Sequence, residues 1–343
     1  MTKKLVGPVV DIITQVNEII TPAYLVGGSV RDALLGKQPH DYDFSTPLLP
    51  DEIENKVRQA GRRPYLAGKR FGTVGFKLDN CFIEVTTFRT EIYTAKSRKP
   101  TVEFIDDVTH DLSRRDFTIN ALAARVDGSL IDPFGGYEDL QSHLIRTVNK
   151  AYERYNEDPL RMLRAARFTA QLGFTVDPEA INQATKKAVK ILEVSKERWS
   201  TELDRLLVAD QPDLGLNFLA DTRLLNFILP ELAIQVGLDQ DSPYHELRLW
   251  QHTVKTVGLT RNDLNLRWAA LLHDIGKPYV RTVNRHGYSN YPDHAVVGAE
   301  LVKKIGPYLK WSKARQQQTE QLVASHLDAN SPLVKADSAA RYK

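Results

Sequence analysis

Two aspartates one residue apart, Asp41 and Asp43, follow a Gly27-Gly28 turn and an arginine, Arg31, in the stretch 24–46, YLVGGSVRDALLGKQPHDYDFST. Strand side chains alternate between faces, so both carboxylates project from one face, about 7 Å apart. Two hard oxygen ligands so placed suit Mg²⁺, which keeps several waters and shares its shell with substrate phosphates. The glycines allow a sharp turn out of an apolar strand, Tyr24–Val26, into a helix over residues 30–35 that Ser29 would cap. A helix N-terminus offers free N–H groups and partial positive charge to a triphosphate, and Arg31 adds a bidentate donor. Taken singly, a Gly-Gly turn also occurs in loops that bind nothing, and D-x-D at solvated strand ends.

A third acid follows. Residues 73–78 and 81–88 read as two strands around an Asp79-Asn80 turn. Glu84, between Ile83 and Val85, faces opposite to them and could join the surface of the aspartate pair, where it would bind the metal or orient an attacking hydroxyl. An exposed strand glutamate satisfies the pattern equally well.

Taken in order, GGSVRDALLG, DYD, KRFGTVGF, IEVTTFRTE, DLSRRDFTINALA at 111–123, DPFGGYEDLQSHLIRTV at 132–148 and EDPLRMLRAARF at 157–168 resemble the class II tRNA nucleotidyltransferases, the bacterial CCA-adding enzymes and their poly(A) polymerase relatives. The resemblance covers the first two-thirds of the chain closely. It implies Asp41 and Asp43 as ligands of two Mg²⁺ ions, Glu84 as the third acid, and Gly28 with Arg31 as triphosphate contacts. Arg114, Arg115, Asp116 and Asn120 would lie by the ribose and phosphates, where Arg and Asp together can bond a 2′-hydroxyl. The implied activity is template-independent addition of CCA to tRNA 3′ ends from CTP and ATP. Addition of A alone or of CC alone uses the same chemistry; a poly(A) polymerase fits KRFGTV less well.

In EDPLR, Pro159 suits a first helical turn, Glu157 or Asp158 caps it, and Asp158 and Arg161 share a face. Cytosine and adenine both carry an exocyclic amino group beside an unprotonated ring nitrogen. An aspartate accepting from the first and an arginine donating to the second would read both bases and reject uracil and guanine. A capped, ion-paired helix start is the alternative. Arg161, Arg164 and Arg167 recur at helical spacing as one basic, nucleotide-binding face, with Leu160, Leu163 and Phe168 turned to the core.

The elements that must position these groups follow from the period of the apolar residues. Residues 1–20 read as an amphipathic helix, 21–140 alternate short strands and helices, and the pattern is helical from about 141. The expected fold is an α/β nucleotidyltransferase head with a small mixed sheet, followed by an all-α neck, body and HD-type tail. The boundaries are 1–140 for the head, 141–205 for a neck with the nucleotide-selecting motif, 206–240 for the body and 241–343 for the tail. Between the third acid and RRD, the polar stretch 89–100 suits a mobile loop, which the resemblance connects with switching from C to A addition.

The tail carries RWAALLHDIGKP at 267–278, with His273 and Asp274 adjacent, His252 upstream and His294 and His326 downstream. Imidazoles and a carboxylate suit a divalent metal. The segment resembles the HD metal-dependent phosphohydrolase domain, which implies His252, His273, Asp274 and His294 as ligands of a further divalent metal. It also implies a late aspartate; the chain runs into DSAARYK soon after His326, a truncated or degenerate domain would account for that, and Asp328 is available as a stand-in. An HD phosphohydrolase with a degenerate tRNA-binding head is therefore the reading from a different class.

Composition agrees with an RNA-handling soluble protein: 343 residues, 42% hydrophobic, 26% charged, net charge +3. The basic excess is local, since residues 141–200 hold eleven Lys/Arg against seven Asp/Glu. A single cysteine, Cys81, excludes an internal disulfide and fits a reducing cytosol. With no signal peptide before residue 20 and no apolar run of membrane length, a cytoplasmic protein without a membrane partner is expected; the oligomeric state stays open.

Overall fold

The structure is a computed structural model that describes residues 4–39, 41–94, 97–241 and 246–341, with the side chains of 91–102 left outside. The chain divides into two compact units, Met1–Glu157 and Asp158–Lys343. Among the described residues no helix is long and apolar enough to cross a membrane.

The first unit opens with α1 (Pro8–Ile19), whose Val9, Ile13 and Val16 form one buried stripe, as the amphipathic pattern predicts. There follow β1 (Tyr24–Val26), α2 (Gly28–Leu34), β2 (Asp41–Thr46), α3 (Pro50–Gln59), β3 (Thr73–Leu78), β4 (Cys81–Thr87), β5 (Arg89–Thr94), β6 (Ser97–Phe104) and α4 (Val108–Ser113). The unit closes with β7 (Ala123–Ala124), β8 (Leu130–Ile131), α5 (Gly136–Gln141) and α6 (Ala151–Glu157). The six-stranded sheet runs β3-β4-β2-β1-β7-β8. Its β2 and β4 are parallel; the other neighbours are antiparallel.

Period-two alternation sorts this sheet into two faces. Tyr42 and Phe44 of β2 and Ile83 and Val85 of β4 enter a core with Ile13, Val30, Ile53, Val57 and Phe76, so α1, α2 and α3 cover that side. Asp41, Asp43 and Glu84 are turned to the exposed side.

The stretch expected as a mobile loop is instead paired backbone. β5 and β6 form an antiparallel hairpin in register Arg89↔Phe104, Glu91↔Val102 and Thr94↔Ser97, with a register shift between Ile92 and Thr94; residues 95–96 lie outside the described residues. Alternating β-branched and aromatic types, R-T-E-I-Y-T and P-T-V-E-F, outweigh the polar composition, and the shift falls opposite Pro100, which has no N–H to give.

The second unit is helical. It contains α7 (Leu160–Leu172), α8 (Pro178–Lys187), α9 (Lys196–Leu207), α10 (Pro212–Asp221), α11 (Leu225–Ile228) and α12 (Pro230–Ala233). Then come α13 (Leu249–Leu259), α14 (Leu264–Leu272), α15 (Lys277–Val280), α16 (His294–Tyr308), α17 (Lys313–Ala324) and α18 (Val334–Ala339). Starts and stops are read from single residues: Asp177 accepts from the N–H of Glu179 and Ala180 ahead of α8, Asp263 from Leu266 ahead of α14, and Gly173 (φ 69°) ends α7. Helix α14 is buried from Leu266 to Leu272, so the His-Asp pair that follows it is held at the end of a core helix.

Because Phe44 packs directly behind the aspartate pair and is 1% exposed, Phe44→Ala should destabilise the first unit by about 4 kcal/mol. Urea unfolding followed by tryptophan-independent far-UV circular dichroism checks this; a change below about 1 kcal/mol would contradict the assigned core position.

Candidate active site and candidate metal centre

The parallel register pairs Asp43 of β2 directly with Glu84 of β4, and Asp41 with Phe82, so three carboxylates share one face of the sheet. Partial enclosure raises the Asp43 carboxyl above the usual range, Arg115 opposes this and Asp41 adds to it. Glu84 is raised by burial and then by Asp43 and Asp41. Asp43 and Glu84, raised by enclosure and by neighbouring carboxylates, belong to a donor set that a divalent cation would relieve, and all-oxygen ligands fit Mg²⁺. Their oxygens are not drawn together as tightly as the second unit's clusters, since among the described residues the sets of three or more ligand atoms within 4.8 Å lie in that unit.

Ser29 is not the helix cap expected from the sequence. Gly27 (φ 69°) is the N-cap of α2 and no side chain caps it; the Ser29 hydroxyl instead reaches β2, donating to the Asp41 carbonyl and accepting from the Asp43 N–H, both at 3.2 Å. The residue that separates glycine turn from aspartate pair in sequence therefore joins them in space. Gly27 also has a steric reason: a Cβ there would lie 2.5 Å from Nη1 of Arg115.

The expected nucleotide-binding residues of this unit form one network. Arg31 donates from Nη1 to Oδ1 of Asn120 at 2.7 Å and from Nε to Asp32 at 2.8 Å, and Asn120 donates to Oδ1 of the buried Asp116 at 3.0 Å. Arg114 bonds Asp111 through Nε and Nη2 at 3.0 and 2.8 Å. Arg115 has its Nη2 3.5 Å from Asp111, and its buried Nε has no hydrogen-bond partner among the described residues. Gly28 is the first residue of α2.

In the second unit, Asp158 accepts from the Leu160 N–H at 3.1 Å and from Arg198 at 2.6 and 3.3 Å. Helix α7 begins at Leu160 with Pro159 as its N-cap and no side-chain cap bond, so neither Glu157 nor Asp158 takes the capping position expected of it; Arg198, forty residues on, has no local signal in the sequence. Arg161 and Arg167 are buried in α7, so the expected basic face is largely enclosed. Arg167 bonds Glu202 at 2.6 Å, and Arg164 lies 3.8 Å from the same carboxylate. Glu202 sits on α9, which no local pattern in the sequence connects with α7.

The HD histidines converge. His252, His273, Asp274 and Asp337 form one buried set and Asp274, His294 and His326 a second, so Asp274 serves both. His252 lies 3.0 Å from Oδ1 of Asp337 and 3.4 Å from Oδ2 of Asp274; His273 lies 3.1 Å from Asp274 and 3.4 Å from Asp337. Oδ1 of Asp274 faces His294 at 3.3 Å and His326 at 3.7 Å. The late aspartate is thus Asp337, the first residue of DSAARYK, and not Asp328, which is exposed. Helix α18 is too short for periodicity to announce it. The only signal was the late acid that the HD resemblance requires.

This arrangement fits a metal. Nδ1 of His294 bonds the Tyr291 carbonyl at 2.8 Å and Nδ1 of His326 the Val323 carbonyl at 2.7 Å. Carbonyls accept only, so both Nδ1 atoms carry the proton and the Nε2 lone pairs face each other at 3.2 Å, a repulsion that a shared cation removes. On the other side, burial would lower the pKa of His273, but Asp274 and Asp337 raise it to about 10; burial and His273 lower His326 to about 4. A cavity of about 540 Å³ opens onto Asp274, His294 and His326 and is lined by Lys277, Tyr288, Tyr291 and Arg341. Lys277 contacts Asp274 at 2.6 Å.

Asp274 and Asp337 favour a proton on His273, which a metal bound at this cluster would displace. Affinity of the cluster for Mn²⁺ or Ni²⁺ should therefore rise with pH between 6 and 9, by about tenfold per unit for each proton released. Competition with a chromophoric chelator measures it, and an affinity independent of pH in that window would contradict the His273 assignment.

Comparison with known proteins finds relatives of both units. Residues 23–146 match the family model described as Poly A polymerase head domain, 173–235 that described as "Probable RNA and SrmB- binding site of polymerase A", and 245–339 that of the HD domain. A CCA-adding enzyme of Levilactobacillus brevis is 42% identical over 249 residues, 71% of this chain and 62% of the relative. One of Bacillus subtilis is 40% identical over 255 residues, 74% of this chain and 60% of the relative. The chain thus spans 62% and 60% of the length of these curated relatives. The crystal structure of the Bacillus stearothermophilus CCA-adding enzyme in complex with CTP matches with a TM-score of 0.68 at 26% identity, covering 98% of this chain and 77% of that one. The chain thus carries, in order, a Poly A polymerase head domain, the RNA-binding region of such polymerases and an HD domain, and over them it is similar to CCA-adding enzymes.

Proposed function

We propose that this protein adds C and A to the 3′ ends of tRNA from CTP and ATP without a nucleic-acid template. The observation that carries this reading is the common face of Asp41, Asp43 and Glu84 beside the Arg31–Asn120–Asp116 network. The CTP bound by the Bacillus stearothermophilus enzyme and the names of the relatives support the substrate class.

Asp41 and Asp43 would hold two Mg²⁺ ions, which supply Lewis-acid charge for the α-phosphate, the attacking 3′-hydroxyl and the leaving pyrophosphate. Glu84, opposite Asp43 and raised in pKa, is placed to orient or receive the hydroxyl proton. Arg31 is fixed by Asp32 and Asn120, so its guanidinium meets a triphosphate without a large ordering cost, with Gly28 allowing close approach. Arg114, Arg115, Asp116 and Asn120 would hold the ribose and phosphates. Asp158 and Arg161 would read the base; with Leu160 and Arg198 bonded, the Asp158 carboxylate still has lone pairs for one exocyclic amino group. Arg164 and Arg167, tied to Glu202, would buttress that helix start.

A second reading applies to the same chain: hydrolysis of phosphomonoesters or 2′,3′-cyclic phosphates at the HD cluster. It rests on the two ligand sets sharing Asp274 beneath a cavity that presents Lys277 and Arg341.

Given tRNA lacking all three terminal nucleotides, the protein is expected to add two residues from CTP alone and a third once ATP is present. Extension by A only on tRNA ending in CC would transfer the assignment to an A-adding enzyme. Asp41→Ala or Asp43→Ala should lower incorporation by about 10³-fold or more, roughly 4 kcal/mol of transition-state stabilisation, with tRNA binding retained. Near wild-type transfer in either variant would remove the assignment.

Exchanging Asp158 and Arg161 reverses donor and acceptor, so use of CTP and ATP should fall while misincorporation of UTP or GTP rises. Equal loss for all four nucleotides, in protein shown to be folded by circular dichroism, would make the pair structural.

A further inference from the structure

The most enclosed charged group of the first unit is one the chemistry above does not use. Asp111, on α4, is 0% exposed and its carboxylate gathers four residues, Ser45, Arg89, Arg114 and Arg115. Oδ1 accepts from Nε and Nη2 of Arg114 at 3.0 and 2.8 Å and from the N–H of Arg89 at 3.3 Å. Oδ2 accepts from the Ser45 hydroxyl at 3.3 Å and faces Nη2 of Arg115 at 3.5 Å.

Each partner has a defined place. Ser45 is two residues beyond Asp43 and on the same face of β2, so it continues the row Asp41, Asp43 into the buried interior, where it is 1% exposed. Arg89 is the first residue of the β5–β6 hairpin, and its guanidinium is in turn bonded to the Phe71 carbonyl. Arg115 packs against Gly27 of the glycine turn, close enough to exclude a Cβ there. One carboxylate thereby fixes the aspartate strand, the hairpin base and two arginines in a single geometry. A buried anion between two guanidiniums is stable only with both partners present, and removing it leaves cations that must move toward water.

We propose that Asp111 is a positioning residue for nucleotide binding: it holds Arg114 and Arg115 at a fixed distance from the Asp41–Asp43 strand and anchors the root of the hairpin. It touches no reacting atom and acts through the arginines. This rests on the nucleotidyl-transfer reading, which assigns those arginines to ribose and phosphates.

The test separates KM from kcat for CTP, with tRNA lacking CCA as acceptor and active sites titrated. Asp111→Asn is expected to raise KM for CTP by about tenfold or more while kcat per active site falls less than about threefold, because ground-state and transition-state binding are lost together. Asp111→Glu, which restores the charge, should recover part of the KM. A role in stability alone would lower the active fraction and the melting temperature and leave KM at the wild-type value, which would overturn the proposal. If Asp111→Asn does not fold, Asp111→Glu carries the same test on its own, because the extra methylene moves the carboxylate against the arginines: a raised KM with kcat retained supports the proposal, and a wild-type KM overturns it. A wild-type protein that incorporates no CMP would remove the functional reading and this inference with it, whereas an active wild type with unaffected variants removes only the role of Asp111.

Discussion

The parallel pairing of β2 with β4 is the constraint on which the first unit depends. It sets Asp43 opposite Glu84 and, by the two-residue period of the strand, Phe44 opposite Val85 on the reverse side. A slip of one residue would bury the carboxylates and expose the core, so the hydrophobic packing against α1 and α3 is what keeps three like charges on one face. Ser29 reinforces the register by bonding the backbone on both sides of Tyr42, and Asp111 extends it inward through Ser45. Enclosure first and the neighbouring acids second raise the pKa of Asp43 and Glu84, a cost imposed by packing on the opposite face of the sheet.

The second unit applies a different constraint to a similar end. No single element carries its candidate metal ligands: His252 comes from α13, His273 and Asp274 from the end of α14, His294 from α16, His326 from beyond α17 and Asp337 from α18. Carbonyls at each helix end orient three of the rings through Nδ1, and Asp274 uses its two oxygens for the two sets. The cluster is buried, so its charge balance is internal: Asp274 and Asp337 favour positive charge on His273, where metal charge would otherwise stand.

Local order was legible wherever neighbouring residues decide the outcome. The strand–turn–helix of 24–34, the D-x-D face, the Asp79-Asn80 hairpin and the His-Asp pair after an apolar helix all rest on period, turn chemistry or adjacency. What escaped the sequence lies at long separation. Glu202 meets Arg167 from 35 residues away, Arg198 meets Asp158 from 40, and Asp337 completes a set begun at His252. A serine after a glycine turn reads as a cap, whereas at Ser29 the strand twelve residues on competes for the hydroxyl and wins. The hairpin at 89–104 shows the same limit in reverse, since cross-strand pairing overrode a composition typical of loops.

The central claim is that Asp41 and Asp43 form a divalent-metal site which a nucleoside triphosphate completes. The most direct measurement is a crystal structure of the protein with CTP and Mn²⁺, using the anomalous signal of manganese to locate the ions. The account predicts anomalous density within coordination distance of Asp41 and Asp43 that also contacts the triphosphate, with Arg31 on the phosphates. Density confined to the HD cluster, with CTP bound and no metal at the aspartate pair, would contradict it.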